Sequence, residues 1–199
     1  MHPNAAFRHD DRALHLALID EVGFGMIFAE TADGPRVAHV PLLRVGEDRL
    51  QFHLSRGNAL TRHIAEREVL AVVNGPDGYV SPRWYADQQQ VPTWNYVALE
   101  MEGRVTAMDA DALVAHLDAL SAREEARIEG EAWTSARMDP ARFARMREGI
   151  VGFELAISAW RPTFKLSQNK PAGERARVVA GMEERGASGI ASLMRTLVS

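Results

Sequence analysis

The stretch from Trp94 to Val105, WNYVALEMEGRV, alternates so regularly that it reads as an extended strand with one buried face. Side chains of a strand point to opposite faces in turn, so Asn95, Val97, Leu99, Met101, Gly103 and Val105 share one side. That side is the core face. The other carries Trp94, Tyr96, Ala98, Glu100, Glu102 and Arg104, aromatic at one end and charged at the other. Something beyond the strand's own neighbours is expected to cover Trp94 and Tyr96.

A long half-buried strand needs other strands beside it, and the chain supplies them in quick succession. FGMIFAE and RVAHVPLLRV flank TADGP, whose Asp33-Gly34 pair is a hairpin signal. RLQFHLS follows as a third strand, and Pro41 inside the second argues for an edge or a bulge there. VLAVVNG reads as a buried strand ended by the turn residues GPDG, and YVSPRWYADQQQVP as an irregular loop. A last strand follows Gly149. Helices are expected over DDRALHLALIDEV, capped by Asp10 or Asp11 and stopped by Gly23, and from Asn58 through NALTRHIAERE. Two more are expected from about Asp109 to Glu129 and from Asp139-Pro140 to Glu148. The tail from Pro171 is helical, interrupted by RGASG.

Consecutive strands without strand–helix alternation point to an antiparallel sheet rather than a parallel one. The fold class is mainly β with peripheral helices, a small antiparallel barrel. Hydrophobic residues make up 46% of the chain, enough for a core without staples, and the chain has no cysteine to form a disulfide or ligate a cluster. The formal net charge of −4 gives no global attraction to nucleic acid or an anionic membrane. With no signal-peptide run and no apolar segment of membrane-spanning length, the expected location is the cytoplasm.

Three stretches break the apolar pattern and offer chemistry. HLSRGN places Ser55, Arg56 and Asn58 at a strand-to-helix junction, where they either hold a phosphate or cap a plain turn. GPDGYVSPRWY concentrates Tyr79, Trp84 and Tyr85 in a loop that is either a satellite core or the wall of a planar ligand's site. FKLSQNK offers Lys165, Ser167, Gln168 and Asn169 in close order, as a polar loop or as ligand contacts. The seven histidines, His2 among them, show no short metal-ligand spacing, so no metal site is expected. Arg137, Arg142, Arg145 and Arg147 form the only local basic cluster, either a nucleic-acid contact or a solvated face opposite a core face of Phe143, Met146 and Ile150.

HVPLL at 39–43, GPDGYVSPRWY at 75–85, VPTWNY at 91–96, GIVGFE at 149–154 and KLSQNK at 165–170 together resemble the PaiB-type negative transcriptional regulators, a family also described as FMN-binding. The resemblance implies an antiparallel split β-barrel built as a homodimer, with FMN in a groove at the subunit interface. It divides the chain into a split-barrel domain with inserted helices over 1–170 and a helical tail over 171–199 packed on the same domain. Its implied cofactor contacts are Ser55, Arg56 and Asn58 for the phosphate and His39 and Pro41 near the flavin ring. Tyr79, Ser81, Trp84, Thr93, Trp94, Asn95 and Tyr96 would form the groove wall, with Lys165, Ser167 and Gln168 reaching in from the last strand's loop. Trp94 and Tyr96 would then be covered by the partner subunit or the flavin edge. A flavin-dependent oxidoreductase is one implied activity, with catalytic residues unassigned. A repressor contacting DNA or a protein partner without flavin is another, and a haem protein ligated by His39, His53 or His63 is a third.

Overall fold

In the computed structural model, which describes residues 4–198, the strand-forming segments assemble into one seven-stranded antiparallel sheet. His2 lies outside the described residues. The strands are β1 (Phe24–Thr31), β2 (Gly34–Pro41), β3 (Leu43–Val45), β4 (Arg49–Ser55), β5 (Glu68–Val80), β6 (Thr93–Ala107) and β7 (Ile150–Lys165). Their order is β2-β1-β5-β6-β7-β4-β3, so the sheet is open, with β2 and β3 as its edges. Pro41 ends an edge strand, where its missing N–H costs no ladder bond. Five α-helices accompany the sheet: α1 (Arg12–Val22), α2 (Ala110–Glu125), α3 (Pro140–Arg147), α4 (Ala172–Glu184) and α5 (Ser188–Leu197).

The chain forms two compact units, and β5, β6 and β7 each run through both. The first unit comprises residues 4–15, 74–100 and 161–198, the second residues 16–73 and 101–160. In the second, β1 and β2 form a hairpin in the expected place, with Thr31 opposite Gly34, whose φ of +91° suits glycine. Phe52 of β4 lies opposite Phe153 of β7 and stacks on it with ring centroids 5.6 Å apart. Both rings are buried, as are Ile27, Leu42, Leu50, Met101 and Leu155, each such side chain contributing roughly 1.5–3 kcal/mol. Asp11 caps α1 by accepting from the Leu14 N–H, and Gly23 ends it at φ +61°. Asp109 and Asp139 cap α2 and α3 as expected.

In the first unit, Val97 and Leu99 of β6 bury with Val80, Phe164 and Leu166, and α4 and α5 supply Val178, Met182, Ile190 and Met194. The turn expected at GPDG does not form. β5 continues through it to Val80, because Gly78 faces α4 and α5 so closely that a Cβ there would stand 3.0 Å from Ile190 and 3.3 Å from Met182. Gly78 answers a packing need here, and tertiary contact overrides turn propensity.

Two further boundaries and one helix face differ from the sequence reading. The helix expected after Asn58 is a single 3₁₀ turn, Ala59–Arg62, and α2 stops at Glu125. The core face expected of α3 is absent: none of its residues is buried, and Met146 is 60% exposed. Eight residues, three of them arginine, leave too short an apolar stripe to bury without desolvating guanidinium groups.

Candidate functional site

The residue types suited to holding a ligand meet in the first unit, where β6 begins and β7 ends. Lys165 closes β7 and its Nζ donates to Thr93 Oγ1 on β6 at 2.6 Å. Two residues later Ser167 turns the chain with φ +59°, a conformation uncommon outside glycine. Gln168 holds that turn: its Oε1 accepts from the Leu166 N–H at 2.7 Å and its Nε2 donates to the Phe164 carbonyl at 2.5 Å. Asn95, fully buried, donates from Nδ2 to Ser167 Oγ at 2.8 Å. Lys170 Nζ donates to Gln90 Oε1 at 2.8 Å and sits 5.3 Å from the centre of the Tyr85 ring.

All of these side chains except Gln168 line a cleft of about 250 Å³, together with Phe7, whose ring centre is 5.9 Å from Lys165 Nζ. No carboxylate is among its described lining residues. Both lysines therefore rest on neutral acceptors and flat rings. Burial pulls the Lys165 pKa below its ordinary value, since removing an ammonium from water disfavours its charged form. Burial likewise raises the Tyr85 phenol, opposed by its hydrogen bond with Ser167.

Of the fifteen residues implied as cofactor contacts, Thr93, Asn95, Lys165 and Ser167 line this cleft, and Gln168 builds its turn. Trp94 is 54% exposed and meets Tyr79 edge-on at 6.0 Å, with Arg185 5.8 Å from the Tyr79 ring; Tyr96 is half-buried. Ser81 caps a short 3₁₀ turn, and Trp84 anchors α4, standing where a Cβ on Gly181 would come within 2.3 Å of its ring.

The remaining five lie in the second unit. His39 is exposed and Pro41 half-buried on β2. Asn58 Oδ1 accepts from the Leu60 N–H, and Ser55 Oγ accepts from the Gly57 N–H. Arg56 donates from Nε to the Glu148 carbonyl at 2.8 Å. The expected phosphate trio thus bonds to backbone, Ser55 and Asn58 within their own turn and Arg56 across to Glu148. The sequence reading placed Tyr85 in its aromatic loop but overlooked Phe7, Gln90 and Lys170. A compositional signal pointed to the last: of 23 lysines and arginines, Lys165 and Lys170 are the only lysines.

An open antiparallel sheet with flanking helices makes this a split-barrel protein. The chain belongs to the family described as "Putative FMN-binding domain", whose model matches residues 1–159. Thr93 and Asn95 fall inside that match, and Lys165 to Lys170 beyond it. The protease synthase and sporulation protein PAI 2 of Bacillus subtilis is 30% identical over 157 residues, 76% of this chain and 74% of that protein.

Among solved structures, the FAD and heme binding protein from Mycobacterium smegmatis aligns with a TM-score of 0.62 at 21% identity, over 84% of this chain and 78% of that one. The flavocytochrome Anf3 from Azotobacter vinelandii aligns with a TM-score of 0.56 at 19% identity, over 79% and 68%. At such identities the likeness shows the fold. Among the described residues, no group of three histidines or carboxylates could hold a metal ion, and no helix is long and apolar enough to cross a membrane.

Proposed function

We propose that this chain is an FMN-binding protein whose anionic ligand end rests on Lys165 and Lys170. The observation that carries the reading is a cleft with two ammonium groups, two aromatic rings and no carboxylate among its described lining residues. A phosphate monoester brings nearly two negative charges, and two lysines on neutral partners match that charge without first breaking an ion pair. The cleft's 250 Å³ suits one end of a flavin, because pockets that enclose drug-sized ligands run from roughly 300 to 1,000 Å³. Family membership supports the same ligand. When bound, FMN supplies electron-transfer chemistry; Lys165, Lys170 and Asn95 supply charge and orientation, and Phe7 and Tyr85 limit water at the ligand's face.

The test is a titration that follows quenching of FMN fluorescence. Wild-type protein should bind FMN saturably, at about one per chain. Lys170→Met should weaken binding roughly 10- to 100-fold, the scale of a hydrogen bond to a charged group. If Arg56→Ala weakens binding while Lys170→Met does not, the phosphate belongs at the Ser55–Asn58 junction instead. No quenching by wild-type protein at high micromolar concentration sinks the reading altogether.

The reading includes a cytoplasmic homodimer. Phe24, Phe28 and Val37 form an exposed apolar ladder on the β1–β2 hairpin, with Phe28 directly opposite Val37, and a second copy is the expected cover. Light scattering should give twice the chain mass; a monomer at all concentrations contradicts it. Direct DNA contact has less support. Arg142 and Arg145 on α3 are exposed, but Arg137 pairs with Glu131 and the chain as a whole is acidic.

A further inference from the structure

Wherever else this chain carries a fixed positive side chain it uses arginine, as in the pairs of Arg44 with Asp20 and Arg104 with Glu66. Lysine is kept at two positions, and both line one cleft. That restriction points to a property guanidinium lacks. Arginine stays charged at any working pH, whereas an ammonium shielded from water can release its proton and become a nucleophilic amine.

Lys165 has the surroundings such an amine needs. Its Nζ donates to a neutral hydroxyl, Thr93 Oγ1 at 2.6 Å, and has the Phe7 ring 5.9 Å away. The described lining holds no carboxylate to fix its charge, and burial favours the neutral form. Lys170 differs: it lies over Tyr85 and holds Gln90, a placement suited to anchoring an anion.

We infer that Lys165 captures carbonyl compounds, forming a reversible imine with a flat aromatic aldehyde whose anionic group rests on Lys170. The inference goes beyond FMN binding and shares only its cleft. The resting ammonium first loses a proton to solvent. The Nζ lone pair then forms a bond to the carbonyl carbon, and proton transfer from nitrogen to oxygen gives the carbinolamine. A proton from solvent lets its hydroxyl leave as water while the nitrogen pair closes the C=N bond, and return of the remaining N–H proton to solvent leaves the imine. Amine plus aldehyde gives imine plus water, with no oxidant or reductant. Thr93 Oγ1 lies beside the nitrogen on which the carbinolamine forms.

The sparse lysines make the test clean, because Lys165, Lys170 and the terminal amine are the only primary amines in the chain. Full-length protein is incubated with 4-formylphenyl phosphate, reduced with borohydride, and mapped by peptide mass. The expected result is one adduct per chain on Lys165, saturating with aldehyde concentration. Neutral benzaldehyde should need at least tenfold more reagent, and Lys165→Arg, which keeps the charge, should abolish the adduct. Urea-unfolded wild-type protein should lose the preference for Lys165, a control that needs no folded variant. Adducts spread evenly over the three amines of the native protein, or a native Lys165 that stays unlabelled, would overturn the inference. An FMN titration on the same preparation separates the two readings: binding without a Lys165 adduct removes this one alone, and an adduct without FMN binding removes the flavin reading alone.

Discussion

Gly103→Val is expected to cost more than about 4 kcal/mol, enough to leave much of the protein unfolded, since native stability is typically about 5–15 kcal/mol. Gly103 lies on the inward face of β6, where a Cβ would stand 2.0 Å from the Ala156 carbonyl oxygen and 2.9 Å from the Ile157 Cα of β7. Those are backbone atoms of a neighbouring strand, so no side-chain rotation relieves the clash; the ladder itself must open. Gly173 on α4 is the counterpart, with nothing within 4 Å of a Cβ. Gly173→Ala should be neutral or stabilising by up to about 1 kcal/mol. Urea denaturation of the two variants checks both expectations. Wild-type stability in Gly103→Val would mean that β6 and β7 are not this close.

The second large effect is on pH dependence. His53 on β4 and His116 on α2 share a hydrogen bond, Nδ1 to Nε2 at 3.1 Å, with the rings edge-on. One ring must donate and the other accept, so the bond requires an unprotonated nitrogen. His116 is 1% exposed, and burial, then the nearby His53 and the Arg123 guanidinium, hold its pKa at about 4. Burial also lowers that of His53. In the unfolded chain both histidines take up protons near the ordinary value of 6.5. Below that pH the unfolded state binds more protons than the folded one, so stability is complete above about 6.5 and erodes as pH falls toward 4. The loss should be on the order of 3 kcal/mol for His116, from 1.36 kcal/mol per unit. Urea midpoints at pH 7.5 and 5 should differ markedly in wild type and much less in His116→Gln. Equal slopes in the two proteins would contradict this role.

Much of the architecture was legible because local and tertiary preferences agree. The inward face of β6 was readable as Asn95, Val97, Leu99, Met101, Gly103 and Val105, and all are buried. The place of the β1–β2 hairpin, the Asp109 and Asp139 caps, the Gly23 stop and the edge position of β2 follow from side-chain chemistry that works the same way in any context, although the hairpin turns at Ala32-Asp33, one residue before the Asp33-Gly34 pair. GPDG misled because Gly78 serves the packing of α4 and α5, helices far away in sequence. The α3 face misled because spacing alone does not reveal whether anything packs opposite Met146.

The candidate site was legible in part for the same reason. KLSQNK and VPTWNY drew notice as short patterns, and the fold brings Lys165 and Ser167 together with Thr93 and Asn95. Phe7 and Gln90 belong to segments with no pattern of their own, and only the fold carries them to the cleft beside Tyr85 of the aromatic loop. Arg56, Ser55 and Asn58 look alike as phosphate ligands or as turn caps until their hydrogen bonds are seen.

The central claim is that the lysine cleft receives the anionic end of FMN, and a crystal structure of the wild-type protein with FMN tests it most directly. The account predicts flavin density in the first unit, its phosphate within hydrogen-bonding distance of Lys165 or Lys170 and a flat face against Phe7 or Tyr85. Density for the phosphate at Arg56 and Asn58, with the lysine cleft holding only water, would contradict it.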